Sequence, residues 1–321
     1  GVSDLAEPVP GVAIGRRPRA AVGYLLSAGA AVFFAINGTV SKSIMLSGID
    51  PTRLSQLRVT AAFLVLLAFV ALTRPAALRI RRDEWVVLLC FGILGVAMTQ
   101  YLYFVAITLL PVGIALLVEF TAPIMVALWF RFGMHERVDR RVWLGLALAL
   151  AGLAMVGQVW EGFTLDLTGV LAGLGAAASL ALYFVLGDRQ VRRPQPRDPV
   201  SLTMWGFGAA ALFWAVVAPW WSFPWDALTG AGHPFGDDRA GVPLWTLVVW
   251  MVVLGTVVPF SMSVEALRNI RASQASVIGM TEPLIASAIA WFALGEVLAP
   301  VQIAGTFVVL AGVLLAEMSR A

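Results

Sequence analysis

The chain has one cysteine, one lysine and two histidines in 321 residues, and only 13% of it is charged. Each scarcity excludes something. The single cysteine, Cys90, cannot form an intrachain disulfide. His135 and His233 stand in loops without ligand-like neighbours, which argues against a metal site. Lys42 follows Ser41 rather than a glycine, and no G-x4-G-K-[ST] loop occurs, so no phosphate cradle for a nucleotide is present. A soluble domain carries roughly 25% charged residues; a chain so poor in charge cannot clothe a water-facing surface. Ten-residue stretches of apolar–polar alternation are also missing, which excludes a membrane β-barrel.

What is present is apolar: 60% hydrophobic residues and a mean hydropathy of +0.87. These residues fall in blocks of about 20, enough for a helix to cross a hydrocarbon core of ~30 Å. Ten spans result, at 22–46, 52–73, 85–107, 112–131, 141–160, 168–188, 200–222, 243–266, 272–294 and 299–318. Short connections separate them, marked by Asp50-Pro51, Arg74-Pro75, Pro111 and the Arg192–Pro196 run. The exception is 223–242, a Gly/Pro/Asp-rich loop. The first apolar block follows Arg16, Arg17 and Arg19 but is span-length and lacks a clear cleavage site, so it reads as a span rather than a signal peptide.

The net charge of +3 and pI near 9.5 do not mark a nucleic-acid binder, because the basic residues sit at block ends rather than along one stripe. Of the 22 basic residues, 18 fall on one side of the ten-span arrangement. That asymmetry places both termini in the cytoplasm of a bacterial inner membrane and favours an even number of spans.

The chain repeats itself. At an offset of 160, residues 106–153 align without a gap on 266–313: Thr121 meets Thr281, Pro123 meets Pro283, Glu136 meets Glu296 and Gly145 meets Gly305. Earlier helices match at nearby offsets, with Gly23 on Gly169, Ala35 on Ala181 and Asp50-Pro51 on Asp198-Pro199. Five spans per copy is an odd number, which turns the second copy over in the membrane. The fold expected is therefore an all-α integral membrane protein of ten transmembrane helices in two inverted five-helix repeats. A tail at 1–21 precedes repeats at 22–160 and 168–318. Inverted repeats are the architecture of many secondary transporters, with the site near the midplane between the copies.

The segments Thr121-Ala122-Pro123 to His135-Glu136-Arg137 and Thr281-Glu282-Pro283 to Gly295-Glu296-Val297, each followed by a Leu/Ala/Gly-rich last helix, resemble the EamA module. That module defines a branch of the drug/metabolite transporter superfamily. The first copy departs from it in having His135 where a glycine usually precedes the glutamate. The resemblance implies a secondary carrier without ATPase domains, whose relatives export amino acids and related metabolites, exchange others or expel toxic compounds.

Ionisable groups within spans are costly and face a cavity or a partner. Glu119 lies roughly 12 Å and Glu282 roughly 15 Å into the fourth and ninth spans at 1.5 Å per residue. The repeat puts them three positions apart on equivalent helices, one broad face, so both are expected to look into one central cavity. There they would carry protons or bind a substrate amine; the structural alternative is a packed, neutralised carboxyl. Pro123 and Pro283 lie just beyond and remove backbone donors, freeing carbonyls to line such a cavity. Arg58 in the second span is either half of a structural ion pair or a contact for a substrate carboxylate. Lys42 and Arg53 are expected to snorkel. Asn37, Gln100, Tyr101, Tyr103 and Tyr183 complete the candidates. Tyr101 and Tyr103 are about 200° apart on a helix, so at most one faces the centre, while Tyr183 is the repeat equivalent of Asn37. Glu136 and Glu296 are expected to brace turns.

Central carboxylates with an arginine toward the outer side suit a zwitterion; joined to the export that the resemblance implies, this makes export of amino acids or related zwitterions, by alternating access through a central cavity, the leading reading. An aromatic wall would instead hold an organic cation by cation–π attraction, so proton-coupled cation efflux is the alternative. A membrane scaffold would need no midplane carboxylates. An intramembrane enzyme would need a nucleophile–base or metal constellation, and the spans hold no histidine and no paired aspartates. No cofactor is expected. The partners expected are a small-molecule substrate, the lipid bilayer and a coupling proton, with no nucleic acid; a homodimer is left open.

Overall fold

The computed structural model describes residues 19–319 apart from 192, 195, 196, 237, 238 and 271. Most of the tail, and with it Arg16 and Arg17, lies outside the described residues, as do Arg192, Arg271 and Arg320. Among the described residues, ten helices are long and apolar enough to cross a membrane. They are α1 (Ala20–Leu46), α2 (Pro51–Thr73), α3 (Trp85–Leu109), α4 (Val112–Phe132), α5 (Arg140–Glu161), α6 (Leu167–Gly187), α7 (Pro199–Val217), α8 (Leu244–Ala266), α9 (Gln274–Leu294) and α10 (Pro300–Met318). α7 stops at Val217 rather than at 222, because Pro219 biases its predecessor away from helix. The 223–242 loop holds one short antiparallel pairing, β1 (Ala231–Gly232) with β2 (Val242–Pro243).

Local chemistry sets the ends. Asp50 and Asp198 each cap a helix, accepting from the Arg53 and Val200 amides, with Pro51 and Pro199 at the first helical position. Neither proline leaves an amide unsatisfied there. The same device at equivalent points of α2 and α7 follows from the Asp-Pro match in the sequence.

Packing repeats the symmetry. α2, α4 and α5 each pack on their own counterparts α7, α9 and α10, and α1 packs on α8 as α6 packs on α3. α5 and α10 meet through glycines. A Cβ on Gly145 would lie 2.5 Å from the Gly312 carbonyl oxygen, and one on Gly312 would lie 2.4 Å from that of Gly145. Gly152 and Gly305 are related in the same way, at 2.8 Å each. The offset of 160 maps one glycine pair onto the other. α5 and α10 therefore run antiparallel, the relation expected of one copy turned over. Bare backbone allows this approach, as small residues do in membrane helix pairs.

The turn after α4 settles the departure at His135. It takes a left-handed conformation with φ 53°, as Gly295 does with φ 68° after α9. The Glu136 amide donates to the Phe130 carbonyl as the Glu296 amide donates to that of Ala290. The two turns are thus one structure, and histidine bears a conformational cost that glycine does not. His135→Gly is expected to raise stability by about 1 kcal/mol, seen as a small increase in the Tm of the purified protein. An unchanged or lowered Tm would contradict that reading.

At the end of the molecule carrying the α2–α3 and α6–α7 loops, Glu84 and Arg197 form a buried ion pair. Arg197 also donates to the Ser201 hydroxyl and the Arg79 carbonyl, at 3.0 and 2.9 Å. Burial pushes the Glu84 carboxyl up, but the Arg197 hydrogen bond and the Arg81 amide outweigh it and hold it below the usual range. The stability it contributes is complete above the ordinary glutamate value of about 4.3. It is lost as pH falls through the lower folded value. Glu84→Ala leaves a buried guanidinium and is expected to cost about 3 kcal/mol at neutral pH, measured by thermal unfolding. A loss within error of zero would show the pair to be replaceable.

Candidate functional site

Four irregular points interrupt the helices, in two matched pairs. α4 breaks at Phe120-Thr121 and α9 at Met280-Thr281. In both breaks the threonine hydroxyl donates to the carbonyl three residues back, Val118 or Ile278, at 2.7 Å. Pro123 and Pro283 follow within the first turn of the second half. The other pair is a π-helical segment, Phe91–Ala97 in α3 and Val253–Val257 in α8. Such segments are frequent at functional sites because they re-aim backbone and side chains. Gly95 packs on Tyr183 of α6, and Gly255 packs on Asn37 of α1. Tyr183 and Asn37, equivalent in sequence, thus make equivalent contacts, on two glycines that are themselves 160 residues apart.

Arg58 of α2 is 7% exposed and reaches the π segment of α8. Its Nε donates to the Thr256 hydroxyl at 3.0 Å, Nη1 to Gln100 Oε1 at 2.7 Å and Nη2 to the Gly255 carbonyl at 3.4 Å. Its guanidinium also sits 5.8 Å from the Phe104 ring centroid. All these partners are neutral, and no carboxylate among the described residues pairs with it. A guanidinium has five N–H groups; three are used, leaving one on each terminal nitrogen without a partner among the described residues.

Beside Arg58 lies a cavity of about 510 Å³, within the range of small-molecule sites. Arg58, Gln100, Thr99 and Thr256 form its deep polar end; Tyr183 and Thr203 line its wall. Phe34, Phe69, Phe207 and Phe260 supply an apolar lining. Glu265 and Arg268 also line it and pair with each other at 3.4 Å. They stand at the end of α8, so the cavity reaches the arginine-rich end of the bundle. The opposite end is filled by buried side chains, among them Ile44, Leu110, Val112, Ile114 and Leu117.

Glu119 is the last residue before the α4 break, and Glu282 the first after the α9 break. No hydrogen bond or ion pair holds either carboxylate among the described residues. Both interact electrostatically with Arg58 and with Tyr103, and Glu282 with Glu119. Neither lines the cavity itself. Tyr103 is buried, its hydroxyl near Gly38 of α1. Tyr101 points the other way and packs on Trp214 of α7, 5.4 Å between centroids. Asn37 is 2% exposed and its Oδ1 has no hydrogen-bond partner among the described residues.

Two basic residues do not snorkel. Arg53 ties α2 to the end of α7, donating to the Ala218 and Pro219 carbonyls and to Ser222 at 2.7–3.1 Å. Lys42 turns inward to Glu296, which also accepts from the Val112 amide at 2.9 Å. Glu296 braces its turn as expected, whereas Glu136 is exposed. Thr256 and Gly255 were not distinguishable as site residues beforehand. Their signal was present in Gly255 matching Gly95, but glycine matches alone are weak in so small-residue-rich a chain.

The comparisons agree with this architecture. The sequence profile of the EamA-like transporter family matches residues 21–158 and again 167–318. The threonine/homoserine exporter RhtA of Escherichia coli K12 is 30% identical over 253 residues, 77% of this chain and 75% of its own. An uncharacterized transporter of Archaeoglobus fulgidus is 28% identical, covering 87% of this chain and 91% of its own. The uncharacterized transporter YdfC of Bacillus subtilis is 26% identical, covering 84% and 82%. A solved crystal structure matches 93% of this chain and 97% of its own with a TM-score of 0.59 at 18% identity, a likeness of fold alone. With ten apolar helices, matched irregularities in both halves and two family matches that span them, this multi-pass membrane protein belongs to the EamA-like transporter family.

Proposed function

We propose that this transporter exports amino acids or closely related zwitterions, loading them from the cytoplasm into the cavity beside Arg58. The observation that carries the reading is a buried guanidinium with two free N–H groups at the deep end of a cavity, held by neutral partners only. A substrate carboxylate would supply the close ion-pair partner that no carboxylate among the described residues provides. At about 4 Å and an effective dielectric near 20, that attraction is about 4 kcal/mol before desolvation. The arginine-rich end faces the cytoplasm by the positive-inside rule, so the cavity opens inward. RhtA, similar over three quarters of its length, is named for threonine and homoserine. Glu119 and Glu282, unpaired among the described residues at the helix breaks and outside the cavity lining, are the groups that would carry a proton.

The phenylalanines and Tyr183 favour a second reading, efflux of organic cations. Arg58 opposes it, because a cation would meet a fixed positive charge at the cavity's end. A thermal-shift series on the purified protein separates the two. Threonine and homoserine are expected to raise Tm in a concentration-dependent way, and quaternary amines are not. Stabilisation by the amines alone would reverse the assignment.

A further inference from the structure

We infer that Lys42, Glu296 and the Val112 amide form the outer gate of the transport cycle, the contact that seals the end opposite the cavity and opens when substrate leaves. This rests on the transporter reading, but not on the identity of the cargo. Lys42 lies in the last turns of α1, Val112 opens α4, and Glu296 follows α9. Three helices that need not move together thus meet at one carboxylate. Glu296 accepts from Lys42 Nζ and, through its other oxygen, from the Val112 amide at 2.9 Å. Lys42 also donates to the Leu110 carbonyl at 2.8 Å. The charged side chains are only 13% and 15% exposed.

The contacts beneath are tight. A Cβ on Gly38, one turn below Lys42, would lie 2.6 Å from Val112, and one on Gly113 would lie 1.7 Å from the Ser287 hydroxyl. α1, α4 and α9 are therefore closed on one another here; the cavity of about 400 Å³ that Ser287 and Glu296 also line lies between α9 and α10, to the side of this contact, while α2, α7 and α8 border the Arg58 cavity at the other end.

The repeat shows that the closure is one-sided. Glu136 occupies the turn equivalent to that of Glu296, yet it is exposed. The ion pair thus biases the carrier toward the state open at the arginine-rich end, where an exporter loads.

Thr39 is buried, three residues before Lys42 on the same helix face, so a thiol there reports the gate. The test uses Thr39→Cys in a Cys90→Ser background, in right-side-out vesicles treated with a membrane-impermeant maleimide. With the gate intact, labelling is expected to be slow. Glu296→Gln or Lys42→Gln should raise its rate about tenfold, the population change that about 1.4 kcal/mol of lost bias produces. Unchanged labelling in either variant, in protein that elutes as the parent does on size exclusion, would overturn the gate. If a glutamine variant does not elute so, Glu296→Asp, which withdraws the carboxylate by one methylene, carries the same test with the same two outcomes. No substrate enters the measurement, so an error in the cargo leaves its result readable.

Discussion

Arg58→Gln is expected to lower the affinity for a zwitterionic substrate by about 10- to 100-fold, the loss of one charge-assisted contact worth about 1.5–3 kcal/mol. The measurement is the concentration of amino acid needed for half-maximal transport or thermal stabilisation. Glutamine keeps a donor near Thr256 and Gln100 but removes the positive charge, so the deep end of the cavity stays polar and loses its attraction for carboxylate. Arg58→Lys should recover little. The present guanidinium bonds the Thr256 hydroxyl, the Gln100 side chain and the Gly255 carbonyl at once. An ammonium has three donors on one point and cannot hold those and a carboxylate together. If instead Arg58→Gln bound the amino acid normally but lowered Tm without substrate, Arg58 would be a brace between α2, α3 and α8.

The second large effect is expected at the helix breaks. Glu119→Gln with Glu282→Gln should slow transport by at least about tenfold, within the 10²–10⁴-fold range that positioned proton-transfer groups supply in catalysis. It should also flatten the pH dependence of the rate. Each carboxylate adjoins a break that is reproduced in the other half, and neither is tied up by a hydrogen bond or ion pair among the described residues. Their electrostatic contact with Arg58 gives a route for coupling, because a carboxylate entering the cavity and the glutamates compete for one guanidinium. Unaltered rate and pH profile in the double variant would remove both residues from the mechanism. Each single variant then apportions the effect.

Much of this was legible in the residues. The ten spans and the repeat followed from apolar blocks and from Thr121 and Pro123 matching Thr281 and Pro283. The helix breaks fall at those residues, because a proline removes a donor wherever it occurs. The π segments were not legible. A one-residue shift in hydrogen bonding leaves no mark in composition at Gly95, and at Gly255 the nearby Thr256 and Pro259 read equally as an ordinary proline kink. Lys42 misled for the same reason. Its place near a helix end fits snorkelling, and only the fold brings Glu296, 254 residues away, to meet it. For Arg58 the residues alone do not distinguish ion pair from ligand contact. Its four neutral neighbours, Gln100, Phe104, Gly255 and Thr256, come from two other helices and set the ion pair aside by geometry; the ligand contact is the proposal.

The account's central claim is tested most directly by reconstituting the purified protein into proteoliposomes and following the movement of radiolabelled threonine or homoserine. Saturable flux, reduced toward the protein-free background by Arg58→Gln, is the predicted result. Flux of an organic cation with none of either amino acid, undiminished by Arg58→Gln, would contradict it.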